Sequence, residues 1–363
     1  MGTLKFQSWG LKSPRPLIIA GPCSAESISQ LRETAKAISD LNIEVMRAGV
    51  WKPRSRPNNF EGAGVEALKW IGEIQSEFDI KFVIEVAKPQ HVELALAHDI
   101  NLMWIGARTT VNPFAVQEIA DALKGIDIPI LVKNPINPDI ELWQGGIERV
   151  LSAGITKVAA VHRGFSFFQE SKFRNPPAWQ IPIELKRRMP EIPLICDPSH
   201  ICGSRDNILE IAQKAIDLNY DGLMIETHPD PDKAFSDAEQ QVTPSRLAEI
   251  LHTIKIRDEK SVNQVFINQL EQLREEIDDI DREIIEAIGT RMRIIEKIGD
   301  YKKDNNVTVF QLERWKEILE TRPQWGKAKL LDKNFIEELY KVIHSESIKT
   351  QTDILNKNTA KSQ

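Results

Sequence analysis

Residues 193–200 read PLICDPSH, a short apolar run that ends directly in polar residues. A segment with helical periodicity follows at residues 207–218, and a second apolar run ends in Glu226. A buried strand, a crossover helix and another buried strand form one unit of a parallel sheet. Polar residues at the carboxyl ends of such strands are where a (β/α)8 barrel builds its active site.

The same unit recurs along residues 17–251, where eight short apolar runs alternate with segments of helical periodicity. Eight units favour an α/β fold closed as a (β/α)8 TIM barrel, while the strand count alone leaves an open doubly wound sheet as the alternative. The predicted strands are 17–20, 44–48, 82–86, 102–106, 128–132, 157–161, 193–196 and 222–226, and the clearest helices are 27–41, 65–78, 114–123, 141–153 and 207–218.

The composition is that of a soluble globular protein, with 41% apolar and 28% charged residues among 363. No apolar run is long enough to span a membrane, and the N-terminus lacks the apolar stretch of a signal peptide. Three cysteines without a secretory signal predict a cytoplasmic protein. The net charge of −6 argues against general nucleic-acid binding, but it allows a local cluster of cations to bind an anionic substrate.

The character of the chain changes after residue 256, where glycine becomes scarce and charged residues become frequent. Apolar residues spaced by three and four form the seam of one long helix, and two shorter helical patterns follow. A coiled-coil oligomerisation module would also explain this seam. The predicted helices are 263–303, 310–321 and 332–351, and the seam is Leu270, Leu273, Ile277, Ile280 and Ile284. The predicted domains are a barrel at 1–255, a linker at 256–262, an all-α three-helix domain at 263–355 and a frayed tail at 356–363.

Four residues of metal-ligand types follow the first, seventh and eighth predicted strands. Because these strands are neighbours in a closed barrel, their carboxyl ends can converge on one ion. A thiolate, an imidazole and two carboxylates suit a divalent transition metal. Each residue alone also has an ordinary explanation, such as a turn cysteine or a surface histidine. The predicted ligands are Cys23, His200, Glu226 and Asp237.

Six cations lie at or just after the second, fourth, fifth and sixth predicted strands, at the same end of the barrel. Any one of them can be explained by an ion pair with a neighbouring carboxylate, but six in register favour an anionic ligand. Backbone N–H groups at Gly106 and Ala107 add donors for phosphate oxygens. The cations are Arg47, Lys52, Arg54, Arg108, Lys133 and Arg163.

Six of these ten residues stand in five motifs, through which residues 1–255 resemble the short type I form (β subtype) of 3-deoxy-D-arabino-heptulosonate 7-phosphate (DAHP) synthase. The resemblance implies condensation of phosphoenolpyruvate with erythrose 4-phosphate, assisted by a divalent metal ion. Mn²⁺ is the expected ion, with Fe²⁺, Co²⁺, Zn²⁺ and Cd²⁺ as alternatives. The motifs are Ala20-Gly21-Pro22-Cys23-Ser24, Lys52-Pro53-Arg54-Ser55, Ile105-Gly106-Ala107-Arg108, His162-Arg163-Gly164 and Asp197-Pro198-Ser199-His200.

The resemblance also implies a role for each residue of the barrel site. The catalytic residues are expected to be Lys52 and Lys133, as proton relays, together with the metal ligands Cys23 and His200. One departure is Asn134-Pro135 after Lys133, where many relatives have arginine and glycine. The expected phosphoenolpyruvate contacts are Arg47, Lys52, Ala107, Arg108, Lys133 and Arg163, and the expected erythrose 4-phosphate contacts are Lys52, Pro53, Arg54, Ser55 and Asp197.

The nearest rival to this interpretation is 3-deoxy-D-manno-octulosonate 8-phosphate synthase. It is a related barrel that also uses phosphoenolpyruvate but takes arabinose 5-phosphate. The loop Lys52-Pro53-Arg54-Ser55 discriminates between the two, because the rival normally carries a different tetrapeptide there.

The helical part carries a second anion pattern. Arg291 occupies a seam position that should be apolar, and a cation there needs a buried anion. Lys302 shares its helix face about 16 Å away, so both side chains can close on one small dianion. The tail resembles the all-helical chorismate mutase family, which implies arginines on the chorismate carboxylates and Lys302 and Gln351 on its ether oxygen. The expected contacts are Arg274, Arg291, Lys302, Gln311, Arg314, Ser347 and Gln351; Gln311 and Trp315 depart from a common Asp and Glu.

Arg274 cannot reach the same substrate as Arg291 from one helix. The two residues are about 26 Å apart along the helix axis and face about 100° away from each other. We therefore expect Arg274 to come from a second chain, which predicts a homodimer with composite sites.

These resemblances predict a bifunctional shikimate-pathway enzyme of aromatic amino acid biosynthesis. A transferase makes DAHP, and an isomerase converts chorismate to prephenate. The alternative is that the helical domain chiefly binds chorismate or prephenate and dimerises, so that prephenate acts as a feedback inhibitor of the barrel. Such allosteric coupling requires a ligand that binds two states of the chain differently.

Overall fold

The computed structural model describes residues 6–12, 16–52, 60–168, 171–258 and 260–357. The chain divides into two compact units, Met1–Glu259 and Lys260–Gln363, and this division falls inside the predicted linker. The first unit is a closed barrel of eight parallel strands in sequential order. The predicted TIM barrel is therefore confirmed, and the open sheet is excluded.

The strands are short and largely buried, because helices cover one face and the barrel interior covers the other. They are β1 (Leu17–Gly21), β2 (Val45–Arg47), β3 (Lys81–Val86), β4 (Leu102–Ile105), β5 (Ile130–Lys133), β6 (Val158–His162), β7 (Leu194–Cys196) and β8 (Gly222–Glu226).

Helices connect the strands on the outside of the barrel. Several begin at a side-chain cap that satisfies a free backbone N–H group; Ser27 accepts from Gln30, and Asp139 accepts from Leu142. The helices of this unit are α1 (Ile28–Ser39), α2 (Val65–Glu77), α3 (Pro89–Ala97), α4 (Ala107–Thr110), α5 (Pro113–Ala122), α6 (Ile140–Ser152), α7 (Gln180–Arg188), α8 (Pro198–Cys202), α9 (Ile208–Asp217) and α10 (Pro244–Thr253).

Side chains inside the barrel form an apolar cluster that is separate from the one facing the helices. Leu17 and Ile19 of β1 belong to the interior cluster, as does Trp104 of β4. Side chains alternate between the two faces of a strand. The residue two positions after the last interior-cluster residue of each strand therefore also points inward, at the carboxyl end of the barrel. Those positions are Gly21, Arg47, Glu85, Gly106, Lys133, Arg163, Asp197 and Glu226. The inward row thus changes from apolar to mostly charged at one level of the barrel.

The amino-terminal segment closes the opposite end of the barrel. Phe6, Trp9 and Leu11 are buried in the interior cluster, and the rings of Phe6 and Trp9 pack edge to face with centroids 5.0 Å apart. Gly10 accepts a hydrogen bond from Lys81, the first residue of β3. The interior is therefore filled from the amino-terminal end, and the charged row faces the loops at the other end.

The second unit consists of three helices, α11 (Gln264–Asp304), α12 (Leu312–Lys327) and α13 (Lys333–Asn356). The all-helical prediction is confirmed, but α12 continues past its predicted end at Thr321. Pro323 lies buried inside it and removes one backbone donor. The last turn also packs closely, because a Cβ atom at Gly326 would lie 2.6 Å from Ile336 of α13. None of the helices that the structure describes is long and apolar enough to cross a membrane.

Candidate functional site

A cavity of about 250 Å³ lies at the charged end of the barrel. Four residues of the predicted phosphoenolpyruvate set line it: Ala107, Arg108, Lys133 and Arg163. Ala107 and Arg108 open α4 directly after β4, so the backbone N–H of Ala107 is at a helix start. Gly106 precedes them, and a Cβ atom there would displace the Glu85 carboxylate from its present position. The sequence did not predict the other polar lining residues, which are Glu85, Ser166, Arg174 and Asn175.

Trp104 lines this cavity and lies close to two buried cations. The guanidinium of Arg47 lies 5.1 Å from the centroid of its ring, and Nζ of Lys133 lies 5.3 Å from it. A cation over an indole face is attracted by the ring quadrupole. Arg47 does not line the cavity itself; it pairs with Glu226 at 2.9 Å.

Asp197 connects Lys133 to His200. Its Oδ1 caps α8 by accepting from the His200 backbone N–H at 3.1 Å, and its Oδ2 accepts from Nζ of Lys133 at 2.8 Å. Burial alone would raise the pKa of Asp197, but the charges of His200 and Lys133 hold it well below its usual value. Burial also lowers the pKa of Lys133, and Asp197 opposes this change. Because Asp197 is fully buried, its direct contact with erythrose 4-phosphate stays a prediction.

Two asparagines hold Arg163 at the cavity wall. Asn134 accepts from the Arg163 backbone N–H at 2.7 Å and donates to the Gly164 carbonyl at 2.8 Å. Asn134, which stands where many relatives have arginine, therefore connects the end of β5 to the end of β6. Asn175 accepts from the Arg163 guanidinium at 2.7 Å and donates to the backbone carbonyl of His200 at 2.6 Å. The guanidinium is thereby fixed relative to the helix that carries His200.

The four predicted metal ligands lie around one end of the barrel as two close pairs. Sγ of Cys23 lies 3.3 Å from Oδ2 of Asp237, and Nε2 of His200 lies 3.8 Å from Oε1 of Glu226. Within the described part of the chain, no group of three or more His, Cys, Asp or Glu residues is arranged to hold a metal ion. Nζ of Lys52 donates to Sγ of Cys23 at 3.0 Å.

The donor set nevertheless fits a divalent cation chemically. Glu226 is fully buried, and its Oε1 accepts no hydrogen bond from any described residue, although Arg47 lies close to it. Burial and the charge of Glu226 raise the pKa of the Cys23 thiol to about 12. Burial lowers the pKa of His200, which favours the neutral imidazole that binds metals. A buried carboxylate oxygen that pairs with Arg47 but accepts no hydrogen bond, together with a thiol that needs a cation to ionise, matches a metal site.

Three residues of the predicted erythrose 4-phosphate set, Pro53, Arg54 and Ser55, lie outside the described residues. Lys52 is described, but it does not line the cavity that contains Trp104 and Lys133. It contacts the candidate metal ligands instead, through Cys23.

A second cavity, of about 510 Å³, lies within the helical unit. Six of the seven predicted chorismate contacts line it: Arg291, Lys302, Gln311, Arg314, Ser347 and Gln351. Arg291 donates to Ser347 at 2.7 Å, and Lys302 donates to the Val309 carbonyl at 2.6 Å. The seventh, Arg274, does not line the cavity; its side chain is exposed and pairs with Glu271 at 2.6 Å.

The cavity wall also contains residues that the sequence did not predict. Arg322, Tyr340 and His344 line it, and the ring of His344 stacks on Trp315 with centroids 4.0 Å apart. Trp315, which replaces a common Glu, therefore supports an aromatic wall. None of the lining residues is acidic, so the cavity suits an anion.

The comparison with known families separates the two units. A profile of the DAHP synthetase I family matches residues 10–262. The chain belongs to the DAHP synthetase I family. A profile of chorismate mutase type II matches residues 273–352, which follow the DAHP synthase barrel in the sequence. The chain therefore joins a DAHP synthase domain to a chorismate mutase domain, and a purely regulatory role for the helical domain is not favoured.

Individual relatives agree with this division. Phospho-2-dehydro-3-deoxyheptonate aldolase of Thermotoga maritima is 30% identical over 66% of this chain and 68% of its own length. The crystal structure of that aldolase superposes with a TM-score of 0.59 over 65% of this chain and 67% of its own. Bifunctional chorismate mutase/prephenate dehydratase of Buchnera aphidicola is 36% identical over 25% of this chain and 23% of its own length. A 2-dehydro-3-deoxyphosphooctonate aldolase of Nitratidesulfovibrio vulgaris is 24% identical over 65% of this DAHP synthase chain and 90% of its own length.

Proposed function

We propose that the barrel condenses phosphoenolpyruvate with erythrose 4-phosphate to DAHP and phosphate, and that the helical unit rearranges chorismate to prephenate. The observation that carries the first activity is the cavity at the charged end of the barrel. Lys133, Arg108 and Arg163 line it beside His200. The second activity is supported by the separate cavity that contains Arg291 and Lys302.

Phosphoenolpyruvate would lie in the barrel cavity with its phosphate against Arg108, Arg163 and the Ala107 N–H. Arginine matches the geometry of phosphate oxygens, and a helix start offers backbone donors. Its carboxylate would face Lys133 next to Trp104, and Arg47, which does not line the cavity, would attract it through its charge. This orientation directs C3 of phosphoenolpyruvate toward the aldehyde of the second substrate.

Lys133 is the proposed proton donor and acceptor. Its Nζ lies at the cavity, its pKa is lowered by burial, and Asp197 holds it at 2.8 Å. Carbon–carbon bond formation converts the aldehyde oxygen to a hydroxyl, which needs a proton. Addition of water at C2 releases one, and phosphate then departs from the tetrahedral intermediate. Lys52 is the alternative relay, beside Cys23.

Cys23, His200, Glu226 and Asp237 would hold the divalent metal, for which Mn²⁺ remains the expected ion. When bound, such a cation supplies Lewis acidity to a carbonyl oxygen. Arg47 and Lys52 keep positive charge beside Glu226 and Cys23 in any case. These residues position the sugar phosphate end of the site next to phosphoenolpyruvate.

Chorismate would bind in the helical cavity through its carboxylates. Arg291 and Arg314 supply cations, and Lys302 and Gln351 supply donors for the ether oxygen that gains charge as its bond breaks. This rearrangement needs neither a nucleophile nor a metal. Preorganised donors are therefore the main contribution of the chain.

We further propose that the helical unit forms a homodimer along α11. One face of this helix exposes large apolar side chains, and a contiguous apolar surface of this kind is typical of an interface. Arg274 lies on the same helix, outside the cavity of its own chain. A second chain would bring it to that cavity. The exposed apolar residues include Leu273, Ile277, Ile280, Ile284 and Ile288.

Mixing two inactive variants tests this composite site. Arg274→Ala and Arg291→Ala chains are each expected to lose chorismate turnover. After subunits exchange, about half of the dimers are mixed, and each mixed dimer has one intact site of its two, so about a quarter of wild-type activity should return. Chorismate consumption after exchange is the measurement. A mixture that stays inactive while mixed dimers form would contradict the shared site.

A substrate comparison tests the function of the barrel. Phosphoenolpyruvate consumption by the full chain with Mn²⁺ should be rapid with erythrose 4-phosphate and at background with arabinose 5-phosphate. Chelation should remove this activity and leave chorismate turnover unchanged, because only the barrel cavity adjoins the candidate ligands. Preference for arabinose 5-phosphate would overturn the proposed reaction.

Two further predictions from the sequence remain to be tested by experiment. The cytoplasmic location rests on the cysteine count. The second prediction is that prephenate inhibits the barrel, and the rate of the condensation measured with and without prephenate tests it.

A further inference from the structure

Two side chains beside the candidate metal ligands have no part in the proposed reaction. Arg174 lies in the loop after β6, and Gln240 lies in the loop after β8. Nη1 of Arg174 donates to Oδ1 of Asp237 at 2.9 Å and to Oε1 of Gln240 at 3.0 Å. Nε2 of Gln240 donates to Oε2 of Glu226 at 2.6 Å. One chain of hydrogen bonds therefore joins the two carboxylates.

Each of the two carboxylates has a second oxygen that takes no part in these hydrogen bonds. These second oxygens, Oδ2 of Asp237 and Oε1 of Glu226, lie near the other two candidate ligands. Oδ2 of Asp237 lies 3.3 Å from Sγ of Cys23. Oε1 of Glu226 lies 3.8 Å from Nε2 of His200 and accepts no hydrogen bond from the described residues. Each carboxylate thus has one oxygen held by Arg174 or Gln240. The second oxygen of Asp237 lies beside the thiol, and the second oxygen of Glu226 faces the imidazole of His200 while it pairs with Arg47 at 2.9 Å.

Burial holds the side chain of Gln240, and the backbone places Arg174 beside Gly203. Gln240 is almost fully buried. Arg174 donates its backbone N–H to the carbonyl of Cys202, the last residue of the helix that carries His200, at 3.2 Å. It passes over Gly203, where φ is +69° and any side chain would collide with its Cβ. A glycine at this position therefore admits the arginine.

We propose that Arg174 and Gln240 act together as positioning residues that orient Asp237 and Glu226 toward the metal. This inference rests on the proposed function, in which those carboxylates are metal ligands. Ligands of a metal need outer partners to fix their orientation, and loss of such a partner typically weakens metal binding about 10- to 100-fold. Arg174 also lines the phosphoenolpyruvate cavity, so a direct substrate contact is the competing role.

Metal titration without substrate separates these roles. Full-length protein would be freed of metal by chelation and titrated with Mn²⁺, with free Mn²⁺ measured by electron paramagnetic resonance. Arg174→Met and Gln240→Met should each raise the Mn²⁺ Kd about 10- to 100-fold. The double variant should bind Mn²⁺ only slightly more weakly than either single variant, because each substitution breaks the same chain of hydrogen bonds. Arg174→Lys, which can still donate to Asp237, should recover part of the affinity.

A spectroscopic signature and a matched control complete the experiment. The visible bands of the Co²⁺-loaded protein should shift in both methionine variants, because the orientation of the carboxylates changes. Arg257→Met removes a surface pair with Asp217 and should alter neither Kd nor spectrum.

Two outcomes would overturn the inference, and they differ. An unchanged Mn²⁺ Kd with a raised KM for phosphoenolpyruvate would make Arg174 a substrate contact. Wild-type protein that binds no divalent metal would overturn the metal assignment itself, and with it the proposed function of these ligands. Arg174→Lys provides the same readout if a methionine variant fails to fold.

Discussion

Lys133→Met is expected to lower kcat of the condensation by about 10²- to 10⁴-fold, the usual contribution of a positioned acid or base. Lys133 is buried at the cavity, and burial lowers its pKa, which makes its proton easier to release. The substitution also leaves Asp197 without its nearest cation. Breaking a buried ion pair costs about 3–5 kcal/mol of stability, and His200 and Arg47 beside Asp197 should keep the loss near the lower value. Steady-state kinetics with erythrose 4-phosphate and thermal unfolding measure the two effects.

Lys133→Arg distinguishes a proton role from a purely electrostatic one. Arginine retains the charge beside Asp197 but does not release a proton, so KM for phosphoenolpyruvate should be largely kept while kcat stays low. Recovery of kcat in this variant would contradict the proton role. Lys157→Met is the matched control, because it removes a lysine pair with Asp127 at the other end of β6.

Arg291→Ala should lower kcat/KM for chorismate about 30- to 5000-fold. This corresponds to a loss of about 2–5 kcal/mol of transition-state binding free energy. The guanidinium lines the helical cavity and donates to Ser347 at 2.7 Å. Its loss removes a charge-assisted bond to a substrate carboxylate and leaves Ser347 with one partner fewer. Initial rates of chorismate loss give the value.

Arg293→Ala is the control on the same helix. It lies two residues further on, points to a different face, and its side chain bonds Thr290 at 2.9 Å. Chorismate turnover should be unchanged in this variant. Near-normal turnover in Arg291→Ala would remove this residue from the site. The condensation should be unaffected by either substitution, because both residues belong to the helical unit.

The barrel was predictable because strand ends carry two signals at once. Apolar runs mark the strands, and strict alternation marks which residues point inward. Lys133 and Arg163 follow from both signals. Glu85 carries the same signal, since it lies two residues after Val83 in the inward row.

Loop residues had no comparable signal. Arg174, Asn175 and Gln240 lie in connections without periodicity, so their contacts depend on how two distant loops meet. In the helical unit, His344 was predictable in part, because it lies three residues before Ser347 and so shares its helix face. The continuation of α12 through Pro323 was not, because tertiary packing overrides the local preference against proline.

The change from an apolar to a charged inward row also determines which mutations this barrel tolerates. Inserting or deleting one residue within a strand reverses every later side chain between interior and exterior. In β5 either change would turn Lys133 outward; an insertion would bring its apolar neighbour Val132 to the cavity, and a deletion would bring Asn134 there. Length variation among descendants of this sequence should therefore be confined to the loops, while the strands change by substitution alone. Substrate preference can then diverge through the loops without disturbing the row of charges on which the chemistry depends.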